Sequence, residues 1–168
     1  MGDCFSCDVV AGKKVGFQAK EYVIELNGGW ILNHCSASNA YLGYLILATK
    51  KHVEDLNKLS SNEAKALGIN IKSIHDSLTA YWADNFDDQI ERLHVAYLNE
   101  GPFIDKNMNE SHVHFHILPR TKKMIPDYNG NKIGWHLLDY VKVFPEYLTK
   151  SDDDKKNLMI FLKKSLAI

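Results

Sequence analysis

A chain of 168 residues, 45% hydrophobic and 24% charged, has the make-up of one globular domain large enough to build its own core. Its formal net charge of −1 excludes a global attraction for nucleic acid or an anionic membrane, so any anionic ligand must be held by a local site. No apolar run approaches the ~20 residues of a membrane span, residues 1–10 lack the layout of a signal peptide, and three cysteines, an odd number, point to a reducing cytoplasm rather than a disulfide framework.

In chain order, Cys4-Phe5-Ser6-Cys7 comes first. A C-x-x-C pair is half of a zinc site, a redox motif or neither. The redox reading has the least behind it, because no strand precedes the pair and no helix clearly follows. Tyr22–Leu26 and Trp30–Asn33 read as two strands joined by Asn27-Gly28-Gly29, a hairpin signal because glycine accepts positive φ. Tyr44–Ala48 is a third, mostly buried strand. It runs into Lys50-Lys51-His52, a position that suits a functional side chain, although a plain surface histidine beside two lysines is the simpler reading.

Ser60 and Glu63 form a capping-box pattern. The helix it starts carries Leu67, Ile71, Ile74, Leu78, Tyr81 and Trp82 at the spacing of one buried stripe. Arg92–Leu98 alternates like a fourth strand. Residues 102–111 are a polar loop leading to His112-Val113-His114-Phe115-His116-Ile117, whose two-residue period is that of a strand. Neighbouring histidines on its polar face would stand roughly 6–7 Å apart. Val113, Phe115 and Ile117 would face the core, and Pro119 is expected to end the strand for want of an N–H. Trp135–Val143 is strand or helix, and Ser151 followed by three acids starts a terminal helix bearing Leu158, Phe161, Leu162 and Leu166.

Three histidines on one strand face are hard to keep for packing alone, since each buried ring needs partners for two nitrogens. Their spacing leaves two chemistries open. One is metal ligation. The other is nucleophilic attack on phosphorus, giving a phosphoramidate that water later cleaves.

His112-Val113-His114-Phe115-His116-Ile117 resembles the signature of the histidine triad (HIT) superfamily, His-φ-His-φ-His-φ-φ with φ apolar. Gly43-Tyr44-Leu45-Ile46-Leu47 with Lys50–Asp55, and Asn99-Glu100-Gly101, resemble the segments that surround it, so the similarity covers about Cys4–Arg120. The resemblance implies an α+β fold: an antiparallel sheet with a long helix and a C-terminal helix. It also implies a single domain over 1–168, with 121–168 a C-terminal extension packing on it, and a homodimer without nucleic-acid or membrane partners. In that family His114 would attack the α-phosphorus of a nucleotide, and His116 would bond the phosphoryl oxygens and assist the leaving group. Asn99 would contact the phosphate and Asn33 the sugar. Some bacterial members and related uridylyltransferases carry structural zinc, which maps here to Cys4, Cys7, His52 and His112. Magnesium would travel with a polyphosphate substrate and is not required by the triad.

Two departures stand out. Tyr44 occupies a position that is histidine in many members, and Asn107-Met108-Asn109 replaces a Gly-Gln-Ser/Thr loop. Asn109 can donate a hydrogen bond to a leaving group but cannot act as an acid. His116, rather than the glutamine of uridylyl transferases, argues for hydrolysis. Leu118-Pro119-Arg120 looks more like the fragile-histidine-triad and bacterial dinucleoside-polyphosphate hydrolase group than like the phosphoramidase branch, which usually carries Gly-Gly. The expected function is therefore cleavage of nucleotide conjugates of the diadenosine polyphosphate type. An adenosine phosphoramidase, a nucleotide-binding module with little turnover, and a histidine-metal protein are the alternatives.

Overall fold

The computed structural model describes residues 4–37, 40–98, 111–126, 141–148 and 150–166. Its centre is an antiparallel sheet of strands β1 (Ile24–Leu26), β2 (Trp30–His34), β3 (Leu45–Thr49), β4 (Ile90–Tyr97) and β5 (His114–Thr121), in the order β1-β2-β3-β5-β4. Among the described residues, three α-helices accompany it: α1 (Phe5–Val10), α2 (Ser61–Asn85) and α3 (Asp152–Ser165). A separate two-stranded ribbon pairs β6 (Ile125–Pro126) with β7 (Val141–Val143). The architecture is α+β, as expected.

Register assigns each residue to a face, because directly opposed residues of antiparallel strands project to the same side. Leu32, Leu47, Phe115 and Tyr97 form one row, and Leu45, Ile117 and Val95 another. Apart from the exposed Val95, these rows join the main core, to which α2 and α3 contribute the fully buried Ile74, Leu78, Trp82, Leu158, Met159 and Leu162. The opposite face carries the rows Ile31–Ala48–His114 and Asn33–Ile46–His116–Ala96. Val9 of α1 packs there on Ile31 and Ala48.

The capping box at Ser60 and Glu63 is formed in both directions, and Ser151 with Asp154 makes a second one at the start of α3. Each supplies acceptors to amides that the first helical turn leaves unpaired. The β1–β2 hairpin turns through Gly28 and Gly29, both at positive φ. β1 is shorter than expected, since Lys20–Tyr22 forms a 3-10 turn. Of the 135–143 segment, the described part is strand.

Two local expectations are corrected. A helix does follow the C-x-x-C pair: α1 begins inside it, too short to show an apolar period and held by the contacts of Val9. Pro119 does not end its strand, which continues to Thr121 in register with β4. β3 pairs with β5 only as far as Ile117, and beyond it the Pro119 carbonyl accepts from the Tyr41 hydroxyl at 2.8 Å. The proline therefore lies where that side of the ladder has already ended, so its missing N–H costs no strand bond.

Gly43, at φ 85°, leads into β3 beside Trp82 and Pro119; an added Cβ would sit 2.7 Å from the Trp82 ring and 3.0 Å from Pro119 Cγ. Left-handed strain plus overpacking predicts that Gly43→Ala lowers stability by about 2–4 kcal/mol, measurable by urea unfolding.

The Gly43 amide donates to Nε2 of His34 at 3.3 Å, while His34 Nδ1–H donates to the Cys35 carbonyl at 2.9 Å. His34 is fully buried, and desolvation pushes its pKa down from 6.5 to about 4. The native ring stays neutral where the unfolded one takes a proton. Its contribution to stability is thus fully present above pH 6.5 and is lost as the pH falls to about 4. The loss amounts to roughly 3 kcal/mol. Unfolding measured across this range should show the decline, and His34→Asn should flatten it.

Candidate active site and metal centre

The alternation read in the histidine segment is realised: Val113, Phe115 and Ile117 are buried, while His114 and His116 are half-buried on the opposite face. His112 lies just before β5 and is buried. Its neighbour Val113 accepts from the Thr49 amide and donates to the Val53 carbonyl, which holds residues 49–53 alongside the start of the strand.

That pairing brings His52 to His112, with ring centroids 5.1 Å apart. From the other side, α1 delivers Cys4 and Cys7, one turn apart at its beginning. His112 Nδ1 lies 3.2 Å from Cys4 Sγ and 3.6 Å from Cys7 Sγ, and Cys7 Sγ lies 3.4 Å from His52 Nδ1. One ligand atom from each of the four residues falls within 4.8 Å of every other.

The donor set fits zinc. With Zn–S of about 2.3 Å and Zn–N of about 2.0–2.1 Å, a tetrahedral site has S···N edges of about 3.6 Å, close to those found. His112 Nε2–H donates to the Thr49 carbonyl at 2.8 Å and reaches Thr49 Oγ1 at 3.0 Å. A carbonyl can only accept, so the lone pair is on Nδ1, facing the sulfurs. This is the usual arrangement of a metal-ligating imidazole, whose second nitrogen is tied to a carbonyl. Burial also lowers the His112 pKa, which favours the neutral ring that ligation needs.

The other two histidines stand apart from this cluster. Their ring centroids are 5.0 Å apart. His114 Nδ1–H donates to the His112 carbonyl at 2.8 Å. By the same reasoning its Nε2 carries a lone pair, the form in which imidazole is nucleophilic. His116 Nδ1 is 2.7 Å from the Tyr44 hydroxyl, so the tyrosine departure keeps a polar contact to the triad. Tyr44 is buried, and desolvation raises its pKa further above the ordinary phenol value, which keeps the hydroxyl protonated.

Asn33 is in the same row as His116, two strands away and so roughly 10 Å off. It is buried and donates to the His34 carbonyl at 3.2 Å. Asn99 and Asn109 lie outside the described residues. Thr49, which orients His112, was not legible in the sequence: a lone threonine has no spacing to read.

No protein-family model matches the chain, and no curated protein matches it. Among solved structures, the chain is similar to a Hit-like protein involved in cell-cycle regulation from Bartonella henselae, with a TM-score of 0.59 and 12% identity over 95% of this chain and 93% of that one. It is similar to a hypothetical histidine triad nucleotide-binding protein from Sulfolobus tokodaii, with a TM-score of 0.57 and 16% identity over 97% and 91%. A zinc-bound histidine triad family protein from Mycobacterium smegmatis gives a TM-score of 0.54 and 16% identity over 98% and 94%. At these identities the likeness is one of fold: the chain has the histidine triad fold. Among the described residues no helix is long and apolar enough to cross a membrane.

Proposed function

We propose that this chain is a hydrolase of nucleotide conjugates of the diadenosine polyphosphate type, acting through a nucleotidyl-histidine at His114. The observation that carries the reading is the hydrogen bond from His114 Nδ1–H to the His112 carbonyl, which leaves the Nε2 lone pair beside His116. In the first step Nε2 attacks the α-phosphorus and the bond from phosphorus to the leaving-group oxygen breaks. His116 stabilises the phosphoryl oxygens and supplies a proton to the leaving group. Water then attacks phosphorus and gives a proton back to His116, the P–N bond breaks, and His114 is regenerated with release of the nucleoside monophosphate. Both steps are positioning and charge stabilisation, which a rigid strand provides.

Asn33, Asn99 and Asn109 are proposed to contact the sugar, the phosphate and the leaving group respectively, and magnesium would accompany a polyphosphate. Cys4, Cys7, His52 and His112 are proposed to hold a structural zinc, in line with the zinc of the Mycobacterium neighbour. When bound, zinc supplies cross-linking rather than chemistry, joining α1 to the segments on either side of the β3–β5 pair. The nucleotide-binding description of the Sulfolobus neighbour supports a nucleotide ligand. A cytoplasmic homodimer is part of the same reading.

Product analysis with diadenosine tetraphosphate tests it. The expected result is AMP plus ATP from the wild type. Hydrolysis of adenosine phosphoramidate alone would move the protein to the phosphoramidase branch. Tight nucleotide binding with no product from either compound would overturn the hydrolase reading in favour of a binding module.

A further inference from the structure

β1 is an edge strand: among the described residues it pairs with β2 on one side and with no strand on the other. A cavity of about 390 Å³ lies along that open side, and three consecutive residues, Val23, Ile24 and Glu25, line it. Successive side chains of a strand point to opposite faces, so a cavity that all three reach straddles the edge of the sheet. Its two walls come from opposite faces. On the face that bears His114 and His116, Val9 and Val10 of α1 stand beside Ile31, which is level with Glu25 in the β1–β2 register. On the other face, Ile24 shares the wall with Lys163 and Leu166 at the end of α3. Val9, Ile24, Ile31 and Leu166 are buried, which makes the floor apolar. Charge gathers at the rim, where the exposed Lys20, Lys50 and Lys163 face one carboxylate, Glu25. Lys50 pairs with Glu25 at 2.6 Å, and Lys163 donates to the Glu21 carbonyl, a group without charge. Among the described residues no ion pair engages Lys20, so two of the three ammonium charges are uncompensated.

An open strand edge, apolar walls on both faces and surplus positive charge together select an extended acidic peptide. Its backbone continues the sheet, its alternate side chains enter the two walls, and its carboxylates meet Lys20 and Lys163. A fatty-acid-like anion would fill the apolar floor but leave the outward N–H and C=O groups of β1 without partners. A second copy of this chain would set the same three cations against one another. Nor is the edge blocked in the way exposed strands commonly are, since β1 carries no lysine or proline and its one charge is already paired. We propose that the β1 edge is a docking site for an extended acidic segment of a partner protein, which adds an outer strand to the sheet. This site stands apart from the hydrolase reading. His114 is three strands away, roughly 14 Å at the spacing of a sheet, so a docked segment leaves the triad open.

The probe is a synthetic peptide that alternates glutamate with valine and is blocked at both ends. Titrated into isotope-labelled protein at low salt, it should shift the amide NMR signals of Val23–Leu26 and of α1, and slow amide exchange along β1. Binding should saturate with a Kd on the order of 0.1–1 mM, since few residues are ordered on each side. The double variant Lys20→Glu, Lys163→Glu should bind about tenfold more weakly or worse. Both side chains are exposed, so the variant should fold. The same peptide N-methylated on alternate amides keeps its charges and side chains but cannot pair along the edge, and it should not bind. Equal binding of the N-methylated peptide, or of a lysine–valine peptide, would overturn the inference. So would octanoate saturating the same residues where the acidic peptide does not, or no shift at roughly 10 mM peptide. Protection of β1 that rises with protein concentration in the absence of peptide would also overturn it, by showing an edge paired with its own copy.

Discussion

His114→Ala is expected to lower hydrolysis of a nucleotide conjugate by about 10⁴-fold or more, because it removes the attacking atom rather than a contact to it. The variant should still fold. The side chain is half-buried, and its hydrogen bond to the His112 carbonyl is worth only about 1 kcal/mol. Wild-type protein quenched during turnover should carry a nucleotidyl adduct on His114 that is stable in base and labile in acid, as a phosphoramidate is; the variant should carry none. His116→Ala should be milder, since the nucleophile remains and only stabilisation is lost. A His114→Ala protein retaining more than about a hundredth of wild-type turnover would show that the reaction does not pass through this imidazole.

Removing metal is expected to weaken the fold as well as the site. Protein purified without chelator should contain one zinc per chain. Exchange into a strong chelator should cost about 4 kcal/mol, the linkage value for free zinc a thousandfold above its dissociation constant. For a chain of this size that is a fall in Tm on the order of 10 °C. Cys4→Ser and Cys7→Ser should reproduce much of it. Activity should fall in parallel, since the carbonyl that orients His114 belongs to His112, itself one of the four ligands. Metal-free protein with an unchanged Tm in chelator would overturn the zinc assignment.

The two sites differ in how they could be found. The triad is local: an alternating segment of six residues specifies a strand and the face on which each ring stands, and the β5 pairing shows this arrangement. The metal cluster is not local. Cys4 and Cys7 are more than a hundred residues from His112, and His52 is exposed beside two lysines. Spacing alone left each of them open, and only the resemblance joined them. The same contrast runs through the fold. The capping box at Ser60 and the helix start at Ser151 are short-range chemistry and read correctly, whereas α1 owes its existence to Val9 packing on Ile31 and Ala48.

The strand that bears the histidines, the long capped helix, the hairpin and the residue types capable of attacking phosphorus follow from local sequence, because these depend on neighbours a few positions apart. Closure of the chain is what sets which nitrogen of His112 and of His114 carries the proton, and what lets Pro119 stay within its strand. Those features depend on where a carbonyl or hydroxyl from elsewhere in the fold comes to rest. A hydrogen bond is directional and short-ranged, so its partner is chosen only after the chain has closed.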